Sequence, residues 1–364
     1  MRYLSPFLKV LIFAVNYYCD QHRDFSIFAF LKFHYSMLDY PLKFIPILKE
    51  KIWGGNKLKE VLHKPSQKEK LGESWEISGI ENNISIVANG ALKGRSLNTI
   101  QEEFKGRFLG EQLYTLFRGK FPLLIKFIDA ETELSVQLHP DDQLASQRHD
   151  SFGKTEMWYI LQADEGAEIN VGFKRNISKE EYLQYLDSGR ITEILNFEKV
   201  ENGDAFFIRP GTVHAIGAGV LLAEIQQTSD ITYRIFDWNR KDENGREREL
   251  HTELALDAID FEQKKDFIRN YTRSLNTSNR IADCKYFTTN FLPVSKGSII
   301  KDHSAMDSFV IYMCVKGTAE ISVNGNSENI KMGETVLIPA QNKEVQISSE
   351  GAELLEIFIQ PNKF

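Results

Sequence analysis

Cysteine is scarce in this chain. Cys19, Cys284 and Cys314 are far apart and form no C-x-x-C pair, which excludes a disulfide framework. Free thiols and a reducing, cytoplasmic setting are the expectation. Positive charge is in deficit as well: 44 Lys and Arg stand against 51 Asp and Glu, a formal net charge of -7. Nucleic acid is therefore excluded as a partner, because phosphate backbones need a cationic face. An anionic small molecule is not excluded, since a few local cations suffice to hold a phosphate. Also absent is an unbroken apolar run of ~20 residues, the length of a bilayer crossing. The stretch Tyr3–Cys19 is interrupted by Pro6, Lys9 and Asn16, so no membrane partner is expected. As an export signal it lacks a small-x-small cleavage site, for Asn16, Tyr17 and Tyr18 follow Val15. Residues 1–36 are read as an extension outside the domains. An upstream start artefact with Met37 as the true first residue is the leading explanation, ahead of an accessory segment or a signal.

The rest of the chain carries a core. Of its 364 residues 42% are hydrophobic and 26% charged, enough for two domains. From about Leu42 short strands alternate with turn signals, as in Ser74–Ser78, Ile84–Val87 and Leu123–Ile128. Leu97–Leu116 has helical texture, with Ile100, Phe104, Phe108 and Leu109 on one face. A helical insertion opens at Ser178 with Glu180 and Glu181 in its first turn, and its apolar spacing continues through Leu195. A second helical patch, Thr252–Asp260, precedes a charged linker. The last 85 or so residues return to strands. There Gly333-Glu-Thr-Val-Leu-Ile-Pro339 echoes Gly203-Asp-Ala-Phe-Phe-Ile-Arg-Pro-Gly211. His214 follows the first of these, whereas Gln341, Asn342 and Lys343 follow the second. The fold expected is mainly β: two barrels with a helical insertion, the second degenerate and without metal. The boundaries expected are 37–279 for the catalytic domain and 280–364 for the second.

Chemistry concentrates in Leu134–Asp142, LSVQLHPDD. In a strand, Ser135, Gln137 and His139 share one face, while Leu134, Val136 and Leu138 share the other. The segment Gly153–Ile160 places Lys154, Glu156 and Trp158 on one face. Arg209-Pro-Gly-Thr-Val-His214 is a turn that delivers a histidine at a strand start. Gln137, His139, Glu156 and His214 together supply two imidazole nitrogens and two oxygens, a set suited to zinc and less selectively to manganese, iron or cobalt. Trp53, Trp75 and Trp158 are either core residues or a stacking surface for a sugar.

The order Gln-x-His, Glu, Pro-Gly-x-x-His resembles the cupin metal site, with Gln137 in place of the first histidine. The variant is similar to the type I phosphomannose isomerase family in its compact bacterial form. The likeness runs from about Pro46 to the C-terminus through Ile52–Gly55, Gly72–Glu76, Leu134–Asp142, Gly153–Tyr159, Pro210–Gly217 and Gln227–Trp238. It implies a cupin-type jelly roll and one zinc per chain, held by Gln137, His139, Glu156 and His214. It implies Arg234 as the active-site arginine, Glu224 and Lys154 close to the metal, and Lys126 and Ser135 as substrate or phosphate contacts. Arg209 departs from the small-residue pattern expected before the turn. The reaction implied is the interconversion of mannose 6-phosphate and fructose 6-phosphate through a cis-enediolate. In that reaction Glu224 suits a general base and Lys154 an acid or electrostatic partner, while Arg234 stabilises the anion unless it serves a structural pair with Asp230 or Asp237. An isomerase of another sugar phosphate, or a non-catalytic sugar-binding cupin, would use many of the same residues.

Overall fold

The computed structural model describes residues 36–242 and 244–364. The expectation for residues 1–36 lies outside the described residues, apart from Ser36. In chain order the strands are β1 (Phe44–Ile45) and β4 (Ile86–Val87), which pair as a separate two-stranded sheet, and, in the first barrel, β2 (Ile47–Gly55), β3 (Leu71–Ile77), β5 (Leu123–Ala130), β6 (Val136–Leu138) and β7 (Glu156–Ala163). It continues with β8 (Glu168–Phe173), β9 (Leu195–Lys199), β10 (Ala205–Ile208), β11 (His214–Ile216), β12 (Val220–Gln227) and β13 (Tyr233–Phe236). One wall runs β10-β7-β12-β5-β2-β3, and the facing wall runs β13-β6-β11-β8-β9. Side chains alternate across each strand, so each wall has an inner and an outer face.

Three apolar layers result. Between the walls lie Ile128, Trp158, Ile160, Ile169, Val171, Ile216 and Leu222. On the outside of the five-stranded wall, Val136, Leu138, Ala215 and Ile235 are covered by Tyr182, Ile191 and Ile194 of the helical insertion. On the outside of the six-stranded wall, Phe127, Met157, Tyr159 and Ile225 pack against Phe287, Phe291, Ile311 and Leu355 of the second barrel. The two barrels therefore stand back to back on a shared hydrophobic layer.

The second barrel holds β14 (Asn279–Asp283), β15 (Thr288–Val294), β16 (Gly297–Asp302), β17 (Val310–Val323), β18 (Asn326–Lys331), β19 (Thr335–Ile338) and β20 (Glu344–Phe358). The long strands β17 and β20 serve both of its walls, bending where the register shifts near Gly317. Residues of its core, among them Tyr312, Cys314, Ile321, Ile347 and Leu354, fill the space between. The echoed segments become the equivalent strands β10 and β19.

Several elements differ from expectation. The helix expected over Leu97–Leu116 is three pieces, Leu97–Phe104, Gly106–Leu109 and Glu111–Leu116. Lys105 (φ 50°) and Gly110 (φ 106°) leave helical geometry and break it. Ser178 does cap a helix, its Oγ accepting from the Glu181 amide at 3.1 Å. That helix stops at Asp187, where Gly189 turns left-handed (φ 69°), and Leu195 already opens β9. The later patch is helical only over Thr252–Leu256. Leu134 precedes β6 and turns inward to join the core between the walls, so it does not share the outer face of Val136 and Leu138. A helix at Asp142–His149, capped by Asp141, had no apolar period to announce it.

Two glycine motifs are explained by close backbone approach. A Cβ on Gly54 would lie 2.4 Å from the Gly72 amide nitrogen, so Trp53-Gly-Gly55 and Leu71-Gly-Glu73 form one tight crossing. Gly211 has φ 79°, and a Cβ there would meet the Ala258 carbonyl at 2.5 Å. That turn aims His214 into the barrel.

Candidate metal centre and active site

The ladder register explains how distant residues meet. Gln137 on β6 is paired with His214 on β11 and with Arg234 on β13. Directly opposed residues share a face, so these three side chains form one row on the inner surface. The facing wall presents a second row: Trp158, Glu224, Lys126 and Trp75 are successive partners on β7, β12, β5 and β3. Glu156 lies two residues before Trp158 and His139 two after Gln137, each on the inner face.

His139, Glu156 and His214 are each about 1% exposed, and ligand atoms from all three lie within 4.8 Å of one another. His139 Nδ1 is 2.8 Å from the Ile231 carbonyl and His214 Nδ1 is 2.8 Å from the Thr212 carbonyl. A carbonyl only accepts, so each Nδ1 carries the proton and each Nε2 presents a lone pair to the centre. Glu156 approaches these nitrogens at 3.2 Å and 3.8 Å, yet neither Nε2 nor Glu156 Oε2 has a hydrogen-bond partner. Lone pairs facing a carboxylate at such range repel unless a cation lies between them. Burial, and next Lys154, push His139 down to about 3. Burial lowers His214 as well, so both rings are neutral at pH 7. Burial alone would raise Glu156, but the Lys154 ammonium beside it holds it well below the usual carboxylate range. Neutral imidazoles and an ionised carboxylate are the states a divalent metal requires. Gln137 lies on the same inner face beside them, its Oε1 accepting from Ser135 Oγ at 3.3 Å.

Above this centre opens a cavity of about 140 Å³. Five cationic side chains line it, Lys51, Lys126, Lys154, Arg234 and Arg248, against the carboxylates Glu73, Glu224 and Asp230. That surplus suits an anion. Lys154 Nζ is 2.7 Å from Glu156 Oε1. Lys126 Nζ is 2.7 Å from Glu224 Oε2, and Trp158 Nε1 donates to Glu224 Oε1 at 3.1 Å. Burial, followed by the nearby Glu156, raises Glu224 above the ordinary carboxylate range. Burial would lower Lys126, yet Glu224 and Glu73 outweigh it and raise the ammonium.

Arg234 is half-buried. Its Nε donates to Ser135 Oγ at 3.2 Å and its Nη1 to the Glu249 carbonyl at 2.9 Å. Asp237 is taken instead by Arg240 at 2.6 Å and by Arg248 Nε at 2.7 Å, and among the described residues no carboxylate reaches ion-pair distance of Arg234. Burial, then Arg248, lowers its proton affinity, as a guanidinium without a counter-charge would show. Arg209 is at the surface with Asp266, to which its Nη1 donates at 3.0 Å.

Every residue expected at the site from the sequence is thus in or beside this one cavity, and Trp53, Trp75 and Trp158 line it. The sequence reading missed Lys51, Glu73 and Arg248. Glu73 alternates with Trp75 in β3 and was findable on that ground; its carboxylate accepts from Trp75 Nε1 at 2.7 Å and pairs with Lys51 at 3.2 Å. Arg248 lies in a loop and carried no signal.

Fold and site together define a two-barrel cupin with a two-histidine, one-glutamate candidate metal site. Residues 42–171 match the family model for the type I phosphomannose isomerase catalytic domain, and residues 277–357 that for the mannose-6-phosphate isomerase cupin domain. The chain is 34% identical to a mannose-6-phosphate isomerase of Streptococcus mutans, over 83% of this chain and 93% of the relative. It is 35% identical to one of Bacillus subtilis over 83% and 94%. The crystal structure of a mannose 6-phosphate isomerase from Bacillus subtilis superposes with a TM-score of 0.77 at 31% identity, covering 88% of this chain and 99% of that one. The chain belongs to the type I phosphomannose isomerase family. Among the described residues no helix is long and apolar enough to cross a membrane.

Proposed function

We propose that this chain interconverts mannose 6-phosphate and fructose 6-phosphate with one zinc ion held by Gln137, His139, Glu156 and His214. The observation that carries the metal is the set of buried ligand atoms converging within 4.8 Å, with both imidazole Nε2 atoms unpartnered. When bound, zinc supplies Lewis acidity toward the negative charge that develops on the substrate oxygens. Two imidazole nitrogens with carboxylate and amide oxygens form a borderline set, for which zinc is the natural occupant.

The chain's own residues supply the rest. The reaction moves a proton between C2 and C1 of the open-chain sugar through a cis-enediolate. Glu224 is the general base: it is buried, its proton affinity is raised, and Trp158 and Lys126 fix both its oxygens. Arg234, whose guanidinium has no carboxylate partner among the described residues, stabilises the enediolate as it forms. Lys154 sits between the metal ligand Glu156 and the cavity and neutralises charge as it shifts. Lys126 and Ser135 contact the substrate, Ser135 also through the Arg234 guanidinium it accepts from. The tryptophans exclude water and offer flat faces to the sugar.

The division of labour proposed is a catalytic domain at 37–279 and a second barrel at 280–364. The two share a seam near the start of the first: the Leu42 amide donates to Leu337, and the side chains of Asn326 and Asn342 donate to the Asp39 and Leu38 carbonyls.

A coupled assay that follows fructose 6-phosphate formation from mannose 6-phosphate, with and without a chelator, tests the whole reading. Turnover that vanishes on chelation and returns with zinc is the expected result. Undiminished turnover in metal-free protein overturns the metal assignment, and no turnover in zinc-loaded protein overturns the reaction.

A further inference from the structure

The second barrel is degenerate as a metal site, but its mouth is not closed by apolar residues. The two ladders correspond strand for strand: β10-β7-β12-β5-β3 in the first, β19-β17-β20-β15-β14 in the second. Row by row, Phe206, Trp158, Glu224, Lys126 and Trp75 correspond to Val336, Tyr312, Glu356, Asn290 and Arg280. Two residues earlier, the metal carboxylate Glu156, opposite Ile208, corresponds to Val310, opposite Ile338. The metal ligand is gone while the glutamate of the next row remains.

Glu356 is 1% exposed and stands over a cavity of about 560 Å³. Its Oε2 accepts from Asn290 Nδ2 at 2.9 Å and from the Ser278 hydroxyl. Its Oε1 accepts from Tyr312 Oη at 3.3 Å and lies 3.2 Å from Lys301 Nζ. With the Tyr312 proton directed to Glu356, His303 Nε2, 2.9 Å from the same hydroxyl, donates to it. That leaves His303 Nδ1, in a ring only 2% exposed, as an acceptor without a partner. A buried carboxylate held by four neighbours and a buried imidazole with a vacant acceptor cost stability if the barrel serves packing alone. Their arrangement around a cavity has the character of a preorganised binding site.

The charges define the ligand. In the first barrel the cavity carries a cationic surplus. Here Lys301 is matched by Glu356, and Arg280 by Asp283 at 3.2 Å, so no cation is left over for a phosphate. What lines the cavity besides these ion pairs is the Ser278 hydroxyl, the Asn290 amide and the His303 ring, beside the ring of Phe358 and the thioether of Met306. Donors and acceptors in alternation next to an apolar flank match a polyhydroxylated ring. We propose that the second barrel binds an uncharged, hexose-sized sugar at the Glu356–His303 cavity, without metal and without turnover.

The test titrates the full chain calorimetrically with D-mannose as the uncharged probe and inorganic phosphate as the anionic one. All four tryptophans, Trp53, Trp75, Trp158 and Trp238, belong to the first barrel, so their fluorescence reports that barrel alone. D-mannose is expected to bind saturably to the parent and to Arg234→Ala alike, with unchanged tryptophan emission. Lys301→Ala and Ser278→Ala, both at partly exposed positions, should each weaken it at least tenfold while retaining the parent's isomerase activity. The readout is binding heat, so it stands whether or not the isomerase reading holds. The proposal is overturned if the folded parent shows no saturable mannose heat. It is equally overturned if that heat is lost in Arg234→Ala but kept in both second-barrel variants, or if phosphate rather than mannose is the probe those variants release.

Discussion

Replacing Arg234 separates chemistry from binding. A guanidinium has five N–H donors; two are engaged, by Ser135 Oγ at 3.2 Å and the Glu249 carbonyl at 2.9 Å, which leaves three for a ligand. Losing one donor aimed at a developing oxyanion costs about 2.7–4 kcal/mol, or 10²–10³ in turnover. Arg234→Ala should therefore lower kcat at least ~100-fold in the coupled assay. The structural cost is small, because the Ser135 hydroxyl already turns to Gln137 and the exposed Glu249 is open to water. A loss of about 1 kcal/mol in thermal stability is expected. Zinc content should match the parent's, since Arg234 neighbours the proposed ligand Gln137 in the ladder without being a ligand itself. Arg234→Lys should recover little, because an ammonium restores charge but not the planar fork. Unchanged kcat with a raised KM would mean that Arg234 binds ground state and transition state equally, as a phosphate contact does. Loss of zinc or of folding would make it structural. Either result refutes its role in the chemistry.

Elemental analysis should find one zinc per chain, and His139→Ala or His214→Ala should abolish both metal and turnover; two ions per chain would contradict the single-centre reading. Glu224→Gln keeps an acceptor for Trp158 but removes the base, so kcat should fall ~10²-fold or more while zinc remains, and a full-rate variant would exclude Glu224. Asp129 is pushed up to about 6, first by burial, against the Lys57 amide that donates to it at 2.6 Å. Its folded value lies above its unfolded one, so the stability it contributes is full below about pH 4 and is lost as pH rises through about 6. Asp129→Asn should then melt like the parent at pH 4 and be more stable by about 2 kcal/mol at pH 7.5, and an equal deficit at both pH values would refute this. Lys64, buried between Glu76 at 2.6 Å and the Gly333 carbonyl of the second barrel, ties the two barrels together. Lys64→Ala should cost ~3–5 kcal/mol by stranding Glu76, as denaturant titration would read.

Much of the site was legible because a strand's period of two sorts residues by face before any contact is known. Gln137 and His139, or Lys154, Glu156 and Trp158, could be placed together from spacing alone. Which strands lie side by side is a different kind of information. That Gln137 stands between His214 and Arg234 depends on pairings across up to 97 residues of chain, and no local pattern encodes them. Lys51 and Arg248 enter the cavity from the irregular middle of β2 and from a loop for the same non-local reason. The broken helix at 97–116 was half legible: Gly110 is a natural stop, whereas Lys105 at φ 50° is held there by its surroundings against its own preference. The second cavity was overlooked because Ser278, Asn290, His303 and Glu356 lie on separate elements, and the missing histidine drew attention to what that barrel had lost.

Strands β7 and β12 have a double inheritance. Glu156, Trp158 and Glu224 face the candidate metal site and the cavity, while Met157, Tyr159, Ala223 and Ile225 between them face the second barrel. Deleting one residue from either strand would exchange the two sets, sending carboxylates into the greasy seam and aromatic bulk into the site. Evolution can therefore lengthen or shorten these strands only in steps of two, or outside the stretch where both faces are in use. Point substitutions remain free to act on one face at a time. A mutational scan of β7 and β12 should accordingly alternate, residue by residue, between variants that fold without working and variants that would work if they folded.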